Sequence, residues 1–321
     1  MTRAQAVVGI DLGGTNTLAC VMDESGEIRS RTHRKTDAHL GTDAVVDGLA
    51  EAVREVCDTA GIELDAVDGV GVAVCGAVDH GAGVVLATGA LDWTDVPLSA
   101  MLKDRLGRRV ILENDVNAAA WGEYRAGAGR GAAGMLAAWV GTGIGGGIVL
   151  DDRLYHGPRG TAGELGQTKV DNTGREPRIL EAIASRTGMR TLASELAGDF
   201  SRSMLLESVG GDFDAIGTDQ IAAAHAAGDP LAERVVSIAA EVLGSSLANA
   251  VTLLSIDTIV LGGGMIESLG DAFVDQIRTG FEADVFPPQA ASWCRIVPTM
   301  LRSDAGLVGA AMIAAEDSRS R

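Results

Sequence analysis

The chain has 321 residues, 46% of them hydrophobic and only 3% aromatic, so two cores of ordinary domain size, built from Ala, Val, Leu and Ile, are expected. A formal net charge of -18 argues against a diffuse basic surface for nucleic acid or anionic membrane; any phosphate it binds should meet backbone N–H groups and a metal ion. Cys20, Cys57, Cys75 and Cys294 stand far apart with no C-x-x-C spacing, which points away from a zinc cluster or disulfide framework and towards buried thiols in a reducing cytosol.

Met1–Gln5 is short and polar and does not read as a signal peptide. No apolar run approaches the roughly 20 residues that span a bilayer, so a soluble, cytoplasmic protein is expected. Ala6–Ile10 reads as a buried strand, Asp11–Asn16 as a tight turn, Thr17–Met22 as a second strand and Glu27–His33 as a third. Thr42–Ala60 carries Val45, Val46, Leu49, Val53 and Val56 at helical spacing. Strands follow at Val70–Val74 and Val84–Ala87, a short helix at Pro97–Leu106, a strand at Arg109–Leu112 and an Ala-rich helix at Val116–Ala126.

The pattern then restarts. Met135–Val140, the turn Gly141–Gly143, Gly145–Leu150 and Arg153–Tyr155 repeat the plan of the N-terminus: strand, glycine-rich turn, strand, acidic turn. This weak internal repeat predicts two similar α/β domains. The second half reads as helices at Arg178–Arg186, Thr191–Leu196, Asp219–Ala227 and Pro230–Leu254, the last entered through Asp229 as a cap and Pro230 as its first residue. Strand Thr258–Leu261, helix Asp271–Phe281, strand Arg295–Pro298 and helix Asp304–Ala315 complete the chain. The expected division is 1–120 plus 302–321 for the N-terminal domain and 121–301 for the C-terminal one.

Glycine occurs 43 times, about twice its usual share of roughly 7%, and much of the excess falls in three loops. Asp11-Leu-Gly-Gly-Thr-Asn16 places consecutive small residues after a buried strand, where N–H groups can point at phosphate oxygens and Asp11 can hold Mg²⁺, directly or through water; an ordinary hairpin turn is the other reading. Gly141–Gly147 repeats that context but fits neither a Walker nor a Rossmann pattern. Gly262-Gly263-Gly264, before a helix, would let a flat ligand lie against backbone, or is simply a strand-to-helix turn. Glu113-Asn-Asp-Val-Asn117 sits between a strand and a helix, where a carboxylate can accept a proton from an attacking hydroxyl and where Asn114 or Asp115 can equally be a helix N-cap. Gly163–Gln167, with Glu181 downstream, offers carboxylates and an amide suited to vicinal hydroxyls, or solvated surface charge.

Taken in order, these segments resemble the sugar-kinase branch of the ROK family (repressors, open reading frames, kinases). The matching stretches are Gly9–Asn16, Gly71–Val74, Glu113–Ala119, Gly141–Ile148, Gly163–Gly166, Leu180–Ser185, Val260–Gly264 and Asp304–Ala311. The resemblance implies an α/β, duplicated ribonuclease-H-like (actin-like) fold of two domains around a cleft. It implies Asp115 as general base; Asn114, Glu164 and Glu181 on sugar hydroxyls; and Gly76 lining the pocket through backbone. Asp11, Gly13, Gly14, Thr15, Asn16, Gly141, Thr142 and Gly143 would hold Mg·ATP, with Gly262, Gly263 and Gly264 near adenosine.

Three departures stand out. Gln167 replaces a histidine that in the family touches sugar and binds zinc; it still offers an amide to the substrate. Val170–Ile179 holds no Cys or His where the family carries a Cys-rich motif, so no zinc is expected. Thr88-Gly-Ala-Leu91 replaces the usual Pro-Asn-Leu before Asp92-Trp93. The expected activity is ATP-dependent phosphorylation of a hexose, with glucose and its 6-hydroxyl leading. The alternative is a sugar sensor of the same family with impaired catalysis. A DNA-binding regulator of the family would need a helix-turn-helix domain ahead of the first strand, and a polyphosphate donor would need a long basic groove; Arg29–Lys35 and Lys103–Arg109 are only brief basic runs. A homodimer or homotetramer is expected from the family.

Overall fold

The structure, a computed structural model, describes residues 6–171, 177–200 and 202–319. It comprises two compact units: the first runs to Arg130, takes in His156–Ala162 and resumes at Ser303, and the second holds Gly131–Tyr155 and Gly163–Arg302. The division thus falls after Arg130, past the helix in which residue 120 lies.

In the first unit, β1 (Ala6–Leu12), β2 (Asn16–Asp23) and β3 (Ile28–Lys35) form an antiparallel meander. Helix α1 (Thr42–Ala60) follows, with Val45, Val46, Leu49, Val53 and Val56 buried as their spacing predicts. β4 (Val67–Val74) runs parallel to β1. β5 (Ala77–Asp79), β6 (Val84–Thr88) and β7 (Trp93–Val96) make a small antiparallel sheet. Helix α2 (Leu98–Leu106) has Pro97 as its N-cap rather than inside its first turn. β8 (Val110–Asn114) pairs parallel with β4 and leads into α3 (Asp115–Ala126). The main sheet has the order β3-β2-β1-β4-β8. Val8, Ile10 and Leu12 of β1 are fully buried, as are Val70 and Val74 of β4, in one core with α1; strands covered on both faces read as continuous apolar runs.

The second unit repeats this order of events. β9 (Gly134–Val140), β10 (Ile144–Leu150) and β11 (Arg153–Leu154) form the meander. A ribbon of β12 (Lys169–Asp171) and β13 (Arg178–Ile179) follows, then α4 (Glu181–Ala184), α5 (Arg186–Leu196), α6 (Met204–Ser208), α7 (Thr218–Ala226) and α8 (Pro230–Leu254). β14 (Thr258–Gly262), α9 (Gly264–Asp284), α10 (Ala290–Trp293) and β15 (Arg295–Pro298) close it. The sheet order is β11-β10-β9-β14-β15, with β14 parallel to both β9 and β15. Three antiparallel strands joined to two parallel ones in each unit make the sequence repeat a repeat of topology.

Several expectations change. Arg178–Arg186 is not one helix: Arg178–Ile179 pairs in the ribbon, and Ser185 is extended and caps α5 through its hydroxyl, which accepts from Gly188 N. Helix α9 begins at Gly264, seven residues before the predicted start at Asp271, and is broken at Gly270, whose φ of 67° is left-handed. By length and composition α8 is apolar enough to cross a membrane, with a mean hydropathy of 1.4 over its best window; the sequence reading missed this because Ala, Ser and Gly dilute the run. It is a core helix: Leu231, Val235, Leu243 and Leu247 are fully buried against the body of the second unit. All four cysteines are free. Burial pushes the thiols of Cys20 and Cys294 up to about 12 and that of Cys57 up to about 11, whereas Cys75 is only partly buried.

Helix α11 (Ala305–Arg319) returns to the first unit and packs on β1, β4 and α3. The approach to α3 is backbone to backbone, since a Cβ on Gly309 would overlap the carbonyl oxygen of Ala118. Arg31–Asp304 and Arg109–Asp317, each 2.6 Å, tie the two ends of α11 to the sheet.

Candidate active site

Parallel pairing sets the geometry of the first unit. Leu12 lies opposite Val74, and Val74 opposite Asn114, so β1, β4 and β8 end level with one another. Their carboxyl ends deliver Asp11 and the Gly13–Asn16 turn, Cys75-Gly76, and Asn114-Asp115 to one edge of the sheet, the usual place for ligands in open α/β sheets. β1 and β8 are separated by one strand, so these groups lie about 10 Å apart along the edge.

Asp11 is a carboxylate under stress. Burial, and then the charge of Asp115, push its pKa up to about 7. An oxygen-only group largely withdrawn from water, with a second carboxylate on the same sheet edge, favours a hard cation. The donor chemistry therefore fits Mg²⁺ at Asp11.

The turn after β1 is fastened from outside. Gly13 N donates to Asn16 O at 3.0 Å, so that N–H closes the hairpin and does not face a ligand. Thr36 N donates to Thr15 O at 2.9 Å and Thr36 Oγ1 to Gly13 O at 2.7 Å. Gly14 packs on Ala90, whose Cβ would lie 2.7 Å from a Cβ there. Thr15 and Asn16 are exposed at the tip.

The turn between β8 and α3 resolves the capping question. Asn114 is the N-cap: its Oδ1 accepts from Val116 N at 3.0 Å and Asn117 N at 3.1 Å. Its Nδ2 donates to Gly76 O at 3.0 Å and to Asp115 Oδ1 at 2.9 Å. Asn114 thus joins the end of β4 to the first turn of α3 and orients Asp115. Gly76 has φ 119°, and a Cβ there would overlap Ala87 O; only glycine puts its carbonyl under Asn114 without strain. Behind the turn Glu113, part of the motif read from sequence, meets a partner that the sequence did not single out, His156. Glu113 is buried; its Oε1 accepts from Asn114 N and Asn117 Nδ2, both at 3.0 Å, and its Oε2 pairs with His156 Nε2 at 2.8 Å.

The second unit has its own glycine edge. Gly262 pairs with Trp139, so the end of β14 and the Gly262–Gly264 turn stand beside the Gly141–Gly143 hairpin that follows β9. Glu181 Oε2 accepts from Ile144 N at 2.8 Å, and a Cβ on Gly143 would overlap that carboxylate. Arg186, also missed in the sequence, donates from its backbone to Gly141 O at 2.9 Å and from its guanidinium to Thr142 Oγ1 at 2.8 Å. It brings a cation to a turn from which the sequence reading took Gly141, Thr142 and Gly143 alone; the only signal was its place just after the Leu180–Ser185 motif. Gln167 lies exposed on a single turn of 3-10 helix at Leu165–Gln167, and Glu164, also exposed, is the residue before it, where Gly163 meets Gly146 of β10. Among the described residues no three His, Cys, Asp or Glu side chains group as a metal site. The stretch behind the no-zinc expectation includes residues 172–176, which lie outside the described residues.

Duplicated meander-and-parallel sheets, each ending in a glycine turn, define the ribonuclease-H-like, actin-like class of two-domain folds. The chain belongs to the ROK family, whose model it matches over residues 7–317. It is 32% identical over 323 residues to a glucokinase of Halalkalibacterium halodurans, covering 98% of this chain and 96% of that one. It is 30% identical to an N-acetylmannosamine kinase of Citrobacter koseri, covering 97% and 99%. A crystal structure of a ROK family glucokinase from Streptomyces griseus in complex with glucose and AMPPNP superposes with a TM-score of 0.81 at 32% identity, covering 97% of this chain and 99% of that one.

Proposed function

We propose that this ROK sugar kinase transfers the terminal phosphoryl group of ATP to a hexose, with glucose as the favoured substrate and its 6-hydroxyl as acceptor. The observation that carries the reading is the placement of Asp11 and Asp115 at one edge of the first unit's sheet, in a chain similar along its whole length to a glucokinase.

In this reading Asp115, held by Asn114 and by the first turn of α3, receives the proton of the attacking hydroxyl. Asp11 holds Mg²⁺, which when bound offsets the charge of the phosphates. The tips of the Gly13–Asn16 and Gly141–Gly143 turns contact phosphate through backbone N–H, Thr15, Asn16 and Thr142, and Gly262–Gly264 lies along adenosine. Glu164, Gln167, Glu181 and the Gly76 backbone meet the sugar hydroxyls. Asn114 acts mainly through Asp115, because its amide is already engaged. Catalysis is then positioning and charge neutralisation, with little covalent work for the protein. No zinc enters this account. We further propose that the enzyme works in the cytoplasm as a homodimer or homotetramer.

The test is a coupled ADP-release screen with Mg·ATP against glucose, fructose, mannose, glucosamine, N-acetylglucosamine and N-acetylmannosamine. Glucose should give the highest kcat/KM. A higher value with N-acetylmannosamine would reassign the substrate, and binding without ADP release across the panel would favour the sensor.

A further inference from the structure

His156 does not belong to the pattern that identified the family, yet its ring meets Glu113, just before the turn that carries the base. The chain leaves the second unit after Tyr155, and His156–Ala162 packs with the first. The segment is closed on itself by Ala162 N donating to His156 O at 3.1 Å. At its start the His156 ring lies on the ring of His80, with centroids 4.2 Å apart and planes at 22°, and its Nε2 meets Glu113 Oε2 at 2.8 Å.

Glu113 is the link. Its carboxylate is 8% exposed, and its other oxygen takes two neutral donors, Asn114 N and Asn117 Nδ2. A buried carboxylate held only by neutral donors is costly, and the cost favours conformers that turn it to solvent. That turn weakens the acceptor that fixes Asn114, and Asn114 is what orients Asp115.

We propose that His156 is a positioning residue for phosphoryl transfer: as an imidazolium it balances Glu113 and so fixes the Asn114-Asp115 turn in its productive geometry. The titratable groups facing the ring, among the described residues, are Glu113 from β8 and His80 from the turn after β5. The hydrogen bond to Glu113 holds the His156 pKa above its ordinary 6.5, against the opposing effect of burial. The productive form is therefore full below that ordinary value and is lost as pH rises through the raised one. The inference rests on Asp115 acting as base, and its test separates the two.

The experiment records kcat and KM for glucose and ATP between pH 6 and 9 for the wild type, His156→Gln, His156→Ala and Glu113→Gln, and follows the His156 imidazole by NMR. Wild-type kcat should fall as the imidazole titrates, and Glu113→Gln should move that titration to lower pH. His156→Gln, a neutral donor of similar reach, should lower kcat at pH 6.5 on the order of tenfold, as when a charged hydrogen-bond partner becomes neutral. Its KM values should stay within about twofold, and its profile should lack the limb that follows the imidazole. Wild-type kcat that is flat across the imidazole titration overturns the proposal even if a variant fails to fold. A folded His156→Gln with an unchanged profile overturns it too. If Asp115→Asn keeps normal turnover, the assignment of the base fails instead, whatever the His156 variants do.

Discussion

Asn114 and Asp115 are neighbours with different work. The Asn114 amide caps α3, reaches Gly76 O and holds Asp115 Oδ1, so the choice between a cap and a chemical group resolves into one residue of each kind. Glu181 divides its carboxylate in a comparable way, since one oxygen is committed to Ile144 N. That commitment makes Gly143 a sensitive position. Gly143→Ala must displace Glu181 or the hairpin, and kcat/KM for ATP should drop by tenfold or more, about 1.4 kcal/mol of transition-state stabilisation; steady-state kinetics at saturating glucose checks it. What sequence conveyed at this scale was residue type at strand ends: Asp11, Asp115 and the glycines. It could not convey Glu113–His156, because that contact joins residues far apart in the chain, nor Arg186, because a lone arginine at a helix start reads as solvated charge.

At the scale of elements, two long periodic helices were readable to the residue, whereas most of the shortest elements were not, Arg295–Pro298 being an exception. Thr42–Ala60 and Pro230–Leu254 follow from hydrophobic spacing and end signals, and the structure gives the same bounds. β5, β7, β12, β13 and α10 have four residues or fewer, and are held by partners that only the tertiary fold supplies. The closing helix shows how tightly packing fixes an element. Gly309 lets α11 touch the backbone of α3, so Gly309→Ala must push the helices apart. We expect a loss of about 1–3 kcal/mol, read as a lower urea midpoint with an unchanged m-value, whereas a midpoint equal to wild type would mean that α11 sits further from α3 than described.

For the whole molecule, the repeat was the most informative sequence feature, because two copies of strand, glycine turn, strand can only be two copies of one topology if each is followed by parallel strands and helices. The equivalent strand orders of the two sheets express this. Substrate choice stayed out of sight for a physical reason: Gln167 and the Thr88–Leu91 segment depart from the family at positions that would meet the sugar, and a single amide or a missing one shifts preference among hexoses without changing the fold. The central claim is that turnover depends on one carboxylate at the start of α3. The most direct measurement compares glucose-dependent ADP release by the wild type and by Asp115→Asn, with folding of the variant verified by its thermal transition. A general base contributes roughly 10²–10⁴ in rate, so the variant should lose at least a hundredfold in kcat while still binding glucose; a folded variant turning over at the wild-type rate would contradict the account.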